Sequence, residues 1–174
     1  MKSMVIMSGL PCTGKSTLSD AIARELKLPI FSVDPIEAAL WRSGLIPSHE
    51  TGVAAYEVAA ALAEEHLKLG QSVIIDAVNG MEIVRARWRE IARAHNVRMI
   101  VIETTCPDIE LHRSRVDKRV RNIPGMPELS WDTVEARIRD WVPWIDERLV
   151  VDSRQPSSYL IRLALDHISN SARR

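Results

Sequence analysis

The chain has 174 residues, 46% hydrophobic and 26% charged, the size and composition of one globular domain with a substantial core; disordered, collagen-like and coiled-coil classes are excluded. Its 23 Lys and Arg balance 23 Asp and Glu, so bulk charge alone would not hold it to nucleic acid. Cys12 and Cys106 make no disulfide framework, the five histidines show no metal-ligand spacing, no apolar run reaches the roughly 20 residues of a membrane span, and residues 1–7 are too short an apolar stretch for a secretory leader.

The expectation is therefore a soluble, cytoplasmic, reduced protein forming one domain over 1–174. In chain order, 3–8 reads as a buried strand and 15–27 as a helix, with Leu18, Ile22 and Leu26 recurring every four residues. A short strand at 29–33 and a helix at 35–42 follow. A loop at 43–49 leads to an alanine-rich helix at 50–69, stopped by Gly70. A strand at 72–76, a helix at 81–95 and a strand at 97–103 come next. Pro107 opens a helix to 121, and Pro124, Gly125 and Pro127 make a loop. A helix at 131–146 contains Pro143, which bends or ends it. A strand at 149–152 and a helix at 156–170 close the chain. Alternating strands and helices, with strands that are uninterrupted apolar runs, predict an α/β fold: a five-stranded parallel sheet with helices on both faces, a three-layer sandwich. Ligands in such folds sit beyond the carboxyl ends of the strands.

The sharpest signal lies beyond the first strand. Gly9-Leu10-Pro11-Cys12-Thr13-Gly14-Lys15-Ser16 satisfies G-x-x-x-x-G-K-[ST] between a strand and a helix. Glycines let the backbone turn its N–H groups toward a phosphate, and the helix N-terminus adds partial positive charge. Gly9, Pro11, Cys12, Thr13, Gly14, Lys15, Ser16 and Thr17 are the nucleotide-binding candidates. Lys15 reaches the β- and γ-phosphates and Ser16 offers a hydroxyl to Mg²⁺. Cys12 is either a reactive thiol or a small tolerated loop residue.

Carboxylates stand at two other strand ends. Asp76 follows Val73-Ile74-Ile75 and suits a Mg²⁺ ligand, direct or through water. Asn79 either binds substrate or fixes its loop. Asp34 admits two readings. Asp34-Pro35-Ile36-Glu37 is a good helix start, with Asp34 as cap and Glu37 as capping-box partner; or Asp34 is a general base for a substrate hydroxyl. Residues 112–121 hold five Lys and Arg against one acid and precede a Pro/Gly loop. There a mobile lid, approximately 107–130, brings arginine to a transferring phosphoryl group. Arg119 and Arg115, four apart on one helix face, are its catalytic candidates. Arg85, Arg87, Arg89 and Arg93 read as an exposed helix face. Trp141 and Trp144 read as one helix face packed into the core.

Taken together, these residues resemble small P-loop kinases of the zeta-toxin, chloramphenicol-phosphotransferase and polynucleotide-kinase-like group. The resemblance rests on the phosphate loop, Phe31-Ser32-Val33-Asp34 with Glu37, Val73 to Asn79, and Cys106-Pro107-Asp108 leading into the arginine-rich stretch. It implies a five-stranded P-loop NTPase core using ATP and Mg²⁺, with Asp34 matching the base. Asp76-x-x-Asn79 is similar to the Asp-x-Thr-Asn element of polynucleotide kinases, but Val78 stands in place of the threonine. The expected function is transfer of the γ-phosphoryl group of ATP to a hydroxyl of a small molecule. A polynucleotide 5′-hydroxyl kinase and a non-catalytic ATP-binding regulatory module are the alternatives.

Overall fold

A computed structural model describes residues 2–173. The apolar runs form β1 (Ser3–Ser8), β2 (Ile30–Ser32), β3 (Val73–Asp76), β4 (Arg98–Thr105) and β5 (Arg148–Asp152). They pair in the order β2-β3-β1-β4-β5, all parallel. Their carboxyl ends therefore share one edge, where Ser8, Ser32, Asp76, Thr105 and Asp152 stand. The helices are α1 (Lys15–Leu26), α2 (Val33–Arg42), α3 (His49–Lys68), α4 (Glu82–Ala94), α5 (Ile109–Lys118), α6 (Trp131–Arg139) and α7 (Ser157–Arg173).

β1 explains why its sequence has no polar alternation. Met4 and Ile6 face a layer built from the alanine stripe of α3 (Ala55, Ala59, Ala60, Ala63) with Trp88 and Ile91 of α4. Val5 and Met7 face the opposite layer, from Leu18 and Ile22 of α1 and Leu160, Ala164 and Ile168 of α7. All four strand residues are wholly buried, each contributing about 1.5–3 kcal/mol by removal from water. The expected three-layer α/β sandwich is what forms. Among the described residues no helix is long and apolar enough to cross a membrane.

Three expectations need correction. The helix foreseen at 107–121 runs only from Ile109 to Lys118. Asp108, not Pro107, starts it, its carboxylate accepting from the Leu111 N–H at 2.9 Å. Arg119 is already extended (φ −72°, ψ 131°) and Asn122 left-handed, so Arg115 and Arg119 do not continue one helix face. The helix foreseen at 131–146 stops at Arg139, before Pro143 is reached. There the Val142 N–H leaves the helical pattern for the Gly80 carbonyl at 2.9 Å. Trp141 and Trp144 consequently lie on a loop; Trp144 still enters the core, its indole N–H donating to Ser8 Oγ at 3.1 Å. Finally, α2 begins at Val33 with Ser32 at its cap position. Asp34 is the second helical residue, so the Asp34–Glu37 capping box does not form. Ser32 ends β2 paired with Asp76, and its hydroxyl donates to Asp76 Oδ2 at 3.3 Å rather than to the helix.

Candidate active site

The turn after β1 is built so that only backbone fills its inside. Gly9 has φ +143°, and a Cβ there would lie 2.5 Å from both the carbonyl and the hydroxyl oxygen of Thr104. Cys12 and Gly14 are left-handed at φ 64° and 84°. Thr13 braces the loop: its hydroxyl donates to the Leu10 carbonyl at 2.8 Å and lies 2.7 Å from that of Thr104 at the end of β4. Buried His112 of α5 donates its Nε2–H to the Pro11 carbonyl at 2.7 Å, which also defines its tautomer. No side chain caps the first turn of α1, so its leading N–H groups face the loop's concavity, a ready anion site.

That concavity opens into a cavity of about 790 Å³. Pro11, Cys12, Thr13, Gly14, Lys15, Ser16 and Thr17 line it together with Asp34, Arg115 and Arg119. Gly9 lies behind, against Thr104. Asp76, nearly buried, stands behind Lys15, whose Nζ is 2.7 Å from its Oδ1. Arg115 donates to the Ser153 hydroxyl at 2.6 Å and carbonyl at 2.9 Å, and Ser153 Cβ would lie 3.5 Å from a Cβ on Gly14 of the loop. Arg119 Nη1 lies 3.6 Å from Cys12 Sγ.

Several cavity residues escaped the sequence reading. Arg121, beyond the end of α5, has a side chain only 9% exposed. Its Nη2 donates to Asp34 Oδ2 at 3.3 Å, its Nη1 donates to the Pro127 carbonyl at 3.2 Å, and its buried Nε–H has no partner among the described residues. It belonged to a recognised basic run, but its pairing with Asp34 is a contact across 87 positions. Arg137 of α6 also lines the cavity and carried no local signal. Ser153 follows β5, so the rule of looking beyond strand ends would have found it.

A second cavity, of about 540 Å³, shares Asp34, Glu37, Val78 and Arg137 with the first. Partial burial, reinforced by the Asp34 charge, holds the Glu37 carboxyl above its ordinary value, against Arg137 and Arg121. Tyr56 borders this cavity; burial pushes its phenol up to about 12, so it stays neutral.

Asn79 fixes its loop. It is left-handed (φ 51°) and wholly buried, its amide donating to the Met7 carbonyl at 2.7 Å and its oxygen accepting from the Trp88 indole at 2.9 Å. Arg85 also departs from expectation. It is wholly buried rather than on an exposed face, its guanidinium 4.1 Å from the Trp144 ring centroid and 5.4 Å from that of Trp141. Its Nε donates to the Asn79 carbonyl at 2.8 Å. Arg89 is likewise engaged, with Glu82 at 2.7 Å and Asp146 at 2.8 Å. Glu103 pairs with Arg148 across β4 and β5 and does not line the cavity.

Solved structures share this architecture. A sugar kinase from Janibacter sp. HTCC2649 aligns over 97% of this chain and 95% of its own, at TM-score 0.72 and 21% identity. A gluconokinase from Sinorhizobium meliloti 1021 aligns over 97% and 92%, at TM-score 0.70 and 16% identity. The APS kinase of Mycobacterium tuberculosis, in complex with AMPPNP and APS, aligns over 97% and 98%, at TM-score 0.66 and 13% identity. At these identities the likeness establishes the fold alone, a five-stranded parallel α/β sandwich. A comparison with curated protein sequences returns no match. The family model AAA_33, described as an AAA domain, matches residues 4–140, and the chain belongs to that family.

Proposed function

We propose that this protein is an ATP-dependent phosphotransferase that moves the γ-phosphoryl group of ATP to a hydroxyl of a small molecule. The observation that carries the reading is the position of Asp34. Its carboxylate borders both the cavity floored by the phosphate loop and a second cavity large enough for an acceptor. It is also free of the capping duty that would otherwise explain it. Solved kinases of the same fold, one of them holding AMPPNP, agree with the reading.

In this scheme the phosphates of ATP lie on the loop backbone and the N-terminus of α1, and Lys15 exchanges its contact with Asp76 for phosphate oxygens. The acceptor oxygen forms its bond to the γ-phosphorus, and the bond to the bridging oxygen breaks with its electron pair staying on ADP. Asp34 takes the hydroxyl proton. Arg119 and Arg121 offset charge spread over the phosphoryl oxygens. The Nε–H of Arg121, unpartnered among the described residues, is a donor already buried at that wall. Arg115 lines the same cavity while bonded to Ser153, and residues 107–130, which carry all three arginines, act as a moving lid in this scheme. Ser16, a hydroxyl lining the cavity, and Asp76, a nearly buried carboxylate in contact with Lys15, would hold a Mg²⁺ ion. When bound, the ion neutralises phosphate charge.

The direct test is ADP release from Mg-ATP across a panel of alcohols, with Lys15→Ala as control. One acceptor that stimulates release and gains a phosphate by mass, with at least about a 10²-fold loss in Lys15→Ala, is expected. Equal turnover by Lys15→Ala would refute the reading.

A further inference from the structure

Charge divides the two cavities. The first sets Lys15, Arg24, Arg115, Arg119, Arg121 and Arg137 against Asp34, Glu37 and Glu128. This cation excess suits a polyphosphate. The second reverses the balance, with Asp34, Glu37, Glu57, Glu90 and Asp140 against Arg87 and Arg137. Its cations are also engaged. Arg87 lies 2.8 Å from Glu64, 3.7 Å from Glu57 and 3.9 Å from Glu90, and Arg137 acts on Glu37. An anionic acceptor entering here would meet more carboxylates than guanidinium groups.

The walls carry a second message. Val33, Val53, Val78, Met81, Ile83 and Val84 line the cavity. Ile83 is 73% exposed and Val53 49%, so apolar surface is left uncovered in the space an acceptor would fill. A free sugar would find few hydrogen-bond partners along these side chains.

We infer that the second cavity takes a protonated amino alcohol on an apolar body, its hydroxyl directed to Asp34 and its ammonium group to the exposed lining carboxylates Glu90 and Asp140. The inference rests on the phosphotransferase reading for the fate of the hydroxyl. The charge selection stands on the cavity itself. At these carboxylates a half-solvated ion pair contributes modestly but discriminates by sign. The apolar body covers Val53, Met81 and Ile83, and the neutral Tyr56 hydroxyl adds no charge to oppose the amine.

Three alcohols on one ring test this with the full chain: trans-4-aminocyclohexanol, trans-1,4-cyclohexanediol and trans-4-hydroxycyclohexanecarboxylate. Binding is read by ligand-observed NMR at low ionic strength with a non-hydrolysable ATP analogue present, and transfer separately by mass with Mg-ATP. The amine is expected to bind about fivefold tighter than the diol, with the carboxylate weakest. This order should flatten as added salt screens the two carboxylates. In the double variant Glu90→Gln, Asp140→Asn, the amine-to-diol affinity ratio should fall toward one; because it is a ratio on one variant, a change in overall folding does not mimic it. A carboxylate that binds as well as the amine, or three probes that bind alike or not at all, would overturn the inference. Preferential amine binding without transfer of phosphate to any alcohol would leave the charge selection standing and remove the phosphotransferase reading. Transfer to the carboxylate in preference would do the reverse.

Discussion

Gly9 and Asp34 respond to substitution for different reasons, and the difference separates structure from chemistry. At Gly9 a methyl group has nowhere to go: the Thr104 carbonyl and hydroxyl oxygens at 2.5 Å and the Thr13 hydroxyl at 2.9 Å surround the added carbon, and φ is +143°. Two of the three are held by other bonds, to Ser8 and Leu10, so the loop itself must shift. Gly9→Ala is expected to lower stability by about 1–3 kcal/mol and to abolish nucleotide binding, read by urea unfolding and by calorimetric titration with an ATP analogue. Asp34→Asn keeps the shape and loses the charge. Asp34 caps nothing, and its pairing with Arg121 is a single contact at 3.3 Å from a carboxylate 37% exposed, so stability should change by less than about 1 kcal/mol. Nucleotide affinity should hold while turnover falls about 10²–10⁴-fold. A variant that turns over normally would return Asp34 to a purely electrostatic partner of Arg121.

Among the elements, α3 carries the clearest local stability device. Ser48 accepts from the Thr51 N–H at 3.3 Å, and the Thr51 hydroxyl accepts from the Ser48 N–H at 2.9 Å, a reciprocal box with threonine in the place usually held by Glu. Ser48→Ala should cost about 1 kcal/mol, measured by thermal unfolding. Such short-range features are what a sequence displays, and the phosphate loop, all five strands and α1 were legible for the same reason: each is set by residues within one or two turns. What was not legible depends on distant partners. The cap reading of Asp34 stood beside the base reading because nothing nearby says that the helix will begin at Val33, with Ser32 at its cap position. The helix at 131–146, expected to bend or end at Pro143, stops earlier, at Arg139, because nothing nearby says that Val142 will pair with Gly80. Arg85 looked exposed because apolar periodicity has no symbol for a cation buried under two indoles.

At the scale of the whole molecule, Arg89 and Asp146 join α4 to the loop that carries Trp141 and Trp144 over Arg85, and so tie the last third of the chain to the sheet. Their side chains are 20% and 19% exposed, and the guanidinium donates two bonds, at 2.9 and 2.8 Å, to the carboxylate. Those bonds hold the Asp146 carboxyl below its ordinary value, chiefly as hydrogen bonds to Arg89 and against the cost of burial. A carboxyl with a depressed folded value favours the folded state at pH above its unfolded value, and that contribution disappears as pH falls through the folded value. His167, held below its ordinary value by burial, works in the same direction and begins earlier: its contribution is present above the ordinary imidazole value and declines on acidification below it. The protein should therefore lose stability in two stages as it is acidified, first through the histidine range and then through and below the carboxylate range. Asp146→Asn isolates the second stage. Near neutrality it should cost about 1–3 kcal/mol, the contribution of charge-assisted bonds in a partly buried setting. The gap between the variant and the native chain should then narrow as pH falls, because the native carboxylate is itself being protonated. Urea unfolding of both chains at a series of pH values measures this gap directly. A gap that stays constant with pH would mean that Asp146 contributes through packing and neutral hydrogen bonding, and that the charge on Arg89 is satisfied by Glu82 alone.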